Sequence, residues 1–253
     1  MRLHRVRGAA FGALVLALTL GGCGLFRKGP ASVPPAEELY GLGEKDLERA
    51  RYEESRVRFR EIAARHPDSS YAPKARFLIG EAFYREGEFA SAIKEFEAFL
   101  AFYPRDQIAD LVQYRLAMSF YDQVKPIEQD QGSTAKALDQ FKRLVKEYPE
   151  SRYATDALAK IDICRGRLGQ KELFIANYYY NLGNPSAARQ RLELIVKDYP
   201  RTLVIPETLF LLAEVNAREG RTSEAVALLR RLAGEYGFTE YGRRAAQRLA
   251  ALR

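Results

Sequence analysis

The sequence predicts an all-α chain, a superhelix of five helix pairs closed by a C-terminal capping helix. Three observations carry that prediction. A Tyr-Pro or His-Pro step recurs at His66-Pro67, Tyr103-Pro104, Tyr148-Pro149 and Tyr199-Pro200, with Tyr236-Gly237 as its last partner. The spacings are 37, 45, 51 and 37 residues, so the repeat unit is 37 residues, with insertions of 8 and 14. Between the steps, apolar residues fall at the 3–4 spacing of amphipathic helices.

The first 22 residues are an address rather than part of this fold. Arg2, Arg5 and Arg7 precede an uncharged run from Ala9 to Leu20. Twelve residues are too few to cross a bilayer core, which needs about 20. A basic start, a short apolar run and small residues after it predict a secretory signal peptide over 1–22. Its end, Leu20-Gly21-Gly22-Cys23, resembles the lipobox of bacterial lipoproteins. That resemblance implies cleavage before Cys23 and acylation of its thiol and new amine. Several acyl chains make a durable anchor where one binds only marginally. Gly24 is compatible with outer-membrane sorting under the rule of enteric bacteria, where Asp retains a lipoprotein in the inner membrane. Residues 23–35, rich in Gly and Pro, read as a lipidated flexible tether.

The repeat domain is expected over 36–253, with units at about 36–72, 73–109, 110–152, 153–205 and 206–238 and a cap helix over 239–252. Unit one has Leu42, Gly43, Tyr52, Phe59, Ile62 and Pro67, but Ala50 and Ser55 stand where a turn Gly and a small Ala are expected. Unit two is the most complete, with Gly80, Phe83, Tyr84, Gly87, Phe89, Ala92, Phe96, Phe99 and Pro104. This order of small, aromatic, turn and Pro positions resembles the tetratricopeptide (TPR) repeat. Gly80 permits close approach of helix A to helix B, and Gly87 suits a turn needing positive φ. Pro104 ends helix B because it cannot continue an α-helix. Ser69, Ser151 and Thr202 are placed to cap the next helix.

Unit three has Ala117, Phe120, Tyr121, Ala137, Phe141, Leu144 and Pro149, with its extra residues near Lys125–Ser133 between its two helices. Unit four has Ala176, Tyr179, Gly183, Ala188, Leu192, Ile195 and Pro200, and its 14 extra residues precede helix A. Fourteen residues are almost four turns, so one long helix is predicted from Tyr153 to Leu182. Its expected core stripe is Ala157, Ile161, Cys164, Leu168, Glu172 and Ile175, broken only at Glu172. Unit five has Ala213, Gly220, Ala225, Leu229, Leu232 and Gly237. The cap follows, with Arg243, Arg244 and Arg248 expected outward, since a solenoid needs a polar terminal face.

Composition excludes several function classes. The chain has 253 residues, 2 Cys and 2 His, which leaves no material for zinc modules or disulfide scaffolds. Of its formal charge of +7, the part outside the first 22 residues lies in 185–253, which hold 12 basic and 8 acidic residues. That excess is too small for a nucleic-acid surface, and export would separate the chain from cytoplasmic DNA. No nucleophile–base pair, Gly-rich phosphate loop or metal-ligand cluster is found, so no enzyme activity, cofactor or metal is expected. His66 stands in a Tyr slot and Cys164 on a core stripe, and both are read as packing residues. Glu53, Glu54, Glu86 and Glu88 are read as ordinary surface charge.

What remains is surface. In a TPR superhelix the A helices line a concave groove. Tyr40, Phe77, Tyr84, Tyr114 and Tyr121 would form an aromatic ladder through units one to three, beside Glu44, Glu81, Arg85 and Asp122. Rigid aromatic rings suit an extended or helical apolar peptide. In unit four, Arg189 and Arg191 flank the inward Ala188 and Leu192, so they are expected to point partly outward and be free to pair with a partner. The cap arginines Arg243 and Arg244 are further candidates.

The lipobox, five units and two insertions together resemble the BamD family, the TPR lipoprotein subunit of the outer-membrane protein assembly machine. The stretch from Ala137 to Thr202 is the most specific, and the resemblance covers the whole mature chain. Pro185 and Gly237 depart from it, at a helix-B aromatic and the last Pro. The resemblance implies a scaffold anchored in the outer membrane and facing the periplasm. It would bind the central barrel subunit through that subunit's periplasmic domains, work beside accessory lipoproteins and receive unfolded barrel precursors. A periplasmic TPR adaptor of cell division or envelope maintenance is the alternative. Its usual N-terminal coiled coil is missing here, because the tether leads straight into unit one. A TPR attached to an enzyme would need a catalytic domain, and the repeats use residues 37–252.

Overall fold

The computed structural model describes residues 33–251. The signal peptide, Cys23 and most of the tether therefore lie outside the described residues. Eleven α-helices follow one another: α1 (Ala36–Glu48), α2 (Tyr52–Arg65), α3 (Tyr71–Glu86), α4 (Phe89–Phe102), α5 (Ala109–Tyr121), α6 (Gly132–Glu147), α7 (Ala154–Asn181), α8 (Pro185–Asp198), α9 (Ile205–Arg218), α10 (Thr222–Glu235) and α11 (Glu240–Ala251). Each packs chiefly on its neighbours in sequence, and weaker contacts join α1 to α3, α3 to α5 and α9 to α11. This is a TPR-like superhelix of five pairs, with α11 closing the last.

The pairs close by inserting a ring into a gap. A Cβ at Gly80 on α3 would lie 2.6 Å from Phe96 on α4, and one at Gly43 on α1 would lie 2.7 Å from Phe59 on α2. Phe59 and Phe96 are fully buried, so each glycine provides the space its partner ring fills. Four of the five A-to-B turns use a left-handed residue. Gly87, Gly183 and Gly220 supply it at φ 84, 72 and 75°, but in unit one Ala50 takes φ 57°. An Ala there is strained, because its Cβ crowds the backbone.

Capping differs in part from expectation. The Ser69 and Ser151 hydroxyls accept from the backbone N–H of Tyr71 and Tyr153, at 3.2 and 3.1 Å. Thr202 instead donates to the Tyr199 carbonyl at 2.9 Å, so it closes the preceding turn rather than capping α9. Asn184 and Thr239 cap α8 and α11 through their side chains. His66 holds the start of the domain, with Nε2 2.9 Å from the Pro34 carbonyl.

The long helix α7 is 28 residues, about 42 Å. Its buried stripe begins as expected with Ala157, Ile161 and Cys164, then moves to Gly169, Leu173 and Ala176. Leu168 and Ile175 are only half-buried. The cause is a change of neighbour. Ala157, Ile161 and Cys164 belong to the core shared with Phe141 and Leu144 of α6, whereas Leu173 and Ala176 join Leu192, Ile195 and Leu209 of α8 and α9. A helix that serves two partners presents two faces. Gly169 sits at the switch, where a Cβ would come within 3.1 Å of Val204.

The two insertions hold each other. Arg167 and Lys171, in the middle of α7, donate to the carbonyls of Lys125, Ile127 and Glu128 in the unit-three loop. Gln131 reaches back from the end of that loop to the Lys125 and Pro126 carbonyls. The lengthened helix therefore buttresses the lengthened loop.

Candidate functional site

The A helices α1, α3, α5, α7 and α9 alternate with the B helices along the solenoid, and α11 follows the last pair. The five rings of the expected ladder lie on α1, α3 and α5, and each is half-buried. Tyr40 packs on Phe59 and Tyr71, Phe77 stacks on Phe96, and Tyr121 meets Phe141 edge-on. Tyr114 stacks on Tyr153 of the next unit with centroids 4.8 Å apart. Each ring thus packs on the core and stays partly open to solvent.

The hydroxyls are tied to acids one unit further along. Tyr84 donates to Asp122, and Tyr114 donates to Asp156 at 2.7 Å. Burial first, and the carboxylate second, push the Tyr114 phenol up to about 12. Burial and Glu44 push Tyr40 to about 12 as well, and burial and Asp122 raise Tyr84 further. All three rings remain neutral hydrogen-bond donors at any physiological pH.

Glu81 differs from the expectation of a groove-side charge. It is only 2% exposed, between Arg85 at 2.8 Å and Arg115 of α5 at 2.9 Å. The shortest Arg115 contact is an ion pair with poor hydrogen-bond aim, and its Nη2 donates properly at 3.2 Å. Glu53 and Glu86 are not idle surface charge either. Both hold Arg56, which is 5% exposed and stacked 4.2 Å over Phe83. An unpaired charge so buried would be costly, and the two carboxylates remove that cost.

The expectation of free arginines on unit four is corrected. Arg189 is engaged by Glu193 at 3.1 Å and Glu219 at 2.9 Å, so it ties α8 to α9. Arg191 reaches Glu172 of α7 at 3.0 Å. Glu172, which broke the expected stripe, is thus the acceptor that fastens α8 to α7. Arg191 still exposes 42% of its side chain, and Arg189 only 19%. The cap arginines are not uniformly outward. Arg243 is exposed and donates to the Phe238 carbonyl, but Arg244 lies 4.4 Å over Phe210 of α9 and Arg248 pairs with Glu214.

Sequence reasoning missed the C-terminal part of this site. A cavity of about 400 Å³ opens between α7, α9 and α11, lined by Asn177, Tyr180, Phe210, Leu211, Tyr241 and Arg244 among others. Tyr180 and Phe210 occupy the same repeat positions as Tyr84 and Phe77 and were the available signal. Cys164 is 1% exposed, and burial pushes its thiol up to about 11, which makes it inert packing. Among the described residues no cluster of metal-ligating side chains occurs, and no helix is long and apolar enough to cross a membrane.

Comparison with known proteins finds three kinds of similarity. Residues 33–230 match the YfiO family, described as an outer membrane lipoprotein. The outer membrane protein assembly factor BamD of Caulobacter vibrioides is 31% identical over 229 residues, 89% of this chain and 75% of that one. The BamD of Rickettsia prowazekii is 28% identical over 212 residues, 84% of each chain. Among solved structures, a thermophilic TPR protein of Thermus thermophilus overlaps with 85% of this chain and 100% of its own, at 19% identity and a TM-score of 0.36. That overlap is too loose to carry an argument.

Proposed function

This chain belongs to the YfiO family of outer membrane lipoproteins, which makes it a non-catalytic outer membrane protein assembly factor of the BamD type, and from that premise we propose how it works. It is anchored in the inner leaflet of the outer membrane through acylated Cys23 and faces the periplasm. It binds the central barrel subunit of the machine through that subunit's periplasmic domains, works beside accessory lipoproteins, and receives unfolded barrel precursors in its concave groove.

One observation carries the precursor reading. Through units one to three, Tyr40, Phe77, Tyr84, Tyr114 and Tyr121 are half-buried rings on successive A helices, and the phenols of Tyr84 and Tyr114 are held by Asp122 and Asp156. Rings fixed in place lose little entropy on binding and accept apolar side chains of any order. A groove of that kind suits a receiver of many different unfolded chains. The stable partner belongs at the other end, where Arg191 and Arg243 remain well exposed and Arg189 partly so. An Arg fork at such an interface would exchange or share its internal carboxylate with one from the partner.

The test is photocrosslinking. A crosslinker at Tyr84 or Tyr121 is expected to capture an unfolded barrel precursor, and one at the exposed Lys94 on α4 is not. Equal capture from all three positions would rule out the groove.

A further inference from the structure

One feature recurs between successive A helices at every later step of the solenoid, and once more at α11. A cation from one of these helices lies over an aromatic ring of the one before it in that series. Arg115 of α5 is 5.2 Å from the centroid of Tyr84 on α3, and Lys160 of α7 is 4.7 Å from Tyr121 on α5. Arg218 of α9 is 4.0 Å from Tyr180 on α7, and Arg244 of α11 is 4.4 Å from Phe210 on α9. A ring face attracts a cation most when water is excluded, so these contacts both hold successive helices together and orient the charge.

The two ends of this ladder differ in their acids. At the N-terminal end, Arg115 is engaged by the buried Glu81, and the neighbouring phenols already donate to Asp122 and Asp156. At the C-terminal end the cations are less satisfied. Among the described residues Arg218 has no carboxylate within 4.0 Å, and the one carboxylate near Arg244 is Glu240, at 3.7 Å. Arg244 also lies over a second ring, Tyr241, at 5.2 Å. Both arginines are exposed, and Arg244 borders the cavity of about 400 Å³ that Asn177 and Tyr180 also line. The acids inside that cavity are already used. Glu214 holds Arg248 at 3.0 Å, and Glu207 faces the Tyr241 phenol.

We infer that this C-terminal cavity is a second peptide subsite, and that it selects extended segments carrying a carboxylate beside an aromatic or aliphatic side chain. The chemistry is complementary on both counts. Stacked guanidinium groups keep their N–H edges free for a carboxylate, and the cations make charge-assisted bonds there. The apolar neighbour of that carboxylate would lie against Tyr180 and Leu211. The occupant is a segment of an unfolded chain, because every cavity-lining residue belongs to α7, α9 or α11 and the site continues the face that Tyr84 and Tyr121 begin. In that placement the inference rests on the groove reading above. An extended chain lying along the whole face would then have its acidic segments drawn toward units four and five, which gives the groove a direction.

The test uses the full chain in detergent and two fluorescein-labelled decapeptides of Phe, Ser and either Asp or Asn, with the same aromatic spacing. Binding of the Asn peptide reads the aromatic face alone. The ratio of the two affinities reads the arginines, so failures of the two readings separate. The Asp peptide is expected to bind at least about tenfold more tightly at low salt, as one charge-assisted contact allows. That preference should shrink as salt rises. Arg218→Gln with Arg244→Gln should reduce the ratio to about one while leaving the Asn peptide and the helical circular dichroism unchanged. Arg244→Lys alone, which keeps the charge, should retain part of the preference. Equal binding of both peptides to the wild-type chain, or a preference that survives the double substitution, would overturn the subsite.

Discussion

Substituting Gly80 by Ala tests the packing that shapes the groove. The new Cβ would lie 2.6 and 2.8 Å from two carbons of the Phe96 ring. No packed carbon tolerates that distance, and Phe96 is fully buried, with Phe77 stacked on it at 6.0 Å. The ring cannot leave without moving a groove residue. Overpacking of this kind costs about 1–3 kcal/mol. Ala gains about 1 kcal/mol over Gly in a helix interior. The net loss is therefore about 1 kcal/mol, or roughly 2–4 °C in Tm for a domain this size. Gly41→Ala is the matched control. It is also inside a helix, but a Cβ there meets nothing within 4 Å, so the propensity gain stands alone. Urea melts followed by circular dichroism should separate the two variants by about 2 kcal/mol in opposite directions. Adding Phe96→Leu should cost less in the Gly80→Ala background than in the wild type, because the smaller side chain vacates the contested space. If Gly80→Ala proves as stable as Gly41→Ala, close approach of the helices does not depend on this glycine and the packing argument fails.

Four further outcomes follow from named contacts. Ala50→Gly should stabilise the chain by about 0.5–1 kcal/mol, because Gly relieves the left-handed conformation at φ 57°; a loss of stability would mean that the turn is not strained. At the buried Arg56, removing the carboxylates should hurt more than removing the cation. Glu53→Gln with Glu86→Gln should cost about 3 kcal/mol and Arg56→Met about 1, since only the former strands a buried charge, and the reverse order in urea melts would refute this. The Tyr40 and Tyr114 phenols lie well above the usual tyrosine range, so the folded state favours their neutral form. Their stabilising effect should be complete below pH 10 and decline between pH 10 and about 12, and absorbance titration should show Tyr114→Phe deleting one late-ionising phenol rather than one near 10. Arg191→Glu should weaken recovery of the central barrel subunit with little change in melting, because the exposed pair with Glu172 is worth about 0–1 kcal/mol. Adding Glu172→Lys restores the internal pair but should not restore the partner, and a full recovery would assign Arg191 a purely internal role.

The repeat skeleton was legible because each of its marks answers to one local requirement. Gly80 had to be small, Gly87 had to turn, and Pro104 had to stop a helix. The register change in α7 was not legible. A 3–4 count from Ala157 continues smoothly through Leu168, and only the arrival of α8 and α9 decides that Gly169 and Leu173 face inward instead. Charge partners were hidden for a similar reason. Arg115 meets Glu81 across 34 residues, and Arg191 meets Glu172 across 19, distances set by how units stack rather than by any helical period. The half-buried rings of the A helices follow repeat register, whereas the cations that lie over them come from no fixed place in the repeat.

The central claim is that this chain is a scaffold of barrel assembly rather than an adaptor of some other envelope process. Its most direct test is purification of the full-length protein from detergent-solubilised envelopes at low abundance, with partners identified by mass. The account predicts a stoichiometric outer-membrane barrel subunit with periplasmic domains, retained at moderate salt and reduced by Arg191→Glu. Recovery of division or peptidoglycan proteins in its place, with no barrel subunit, would contradict it.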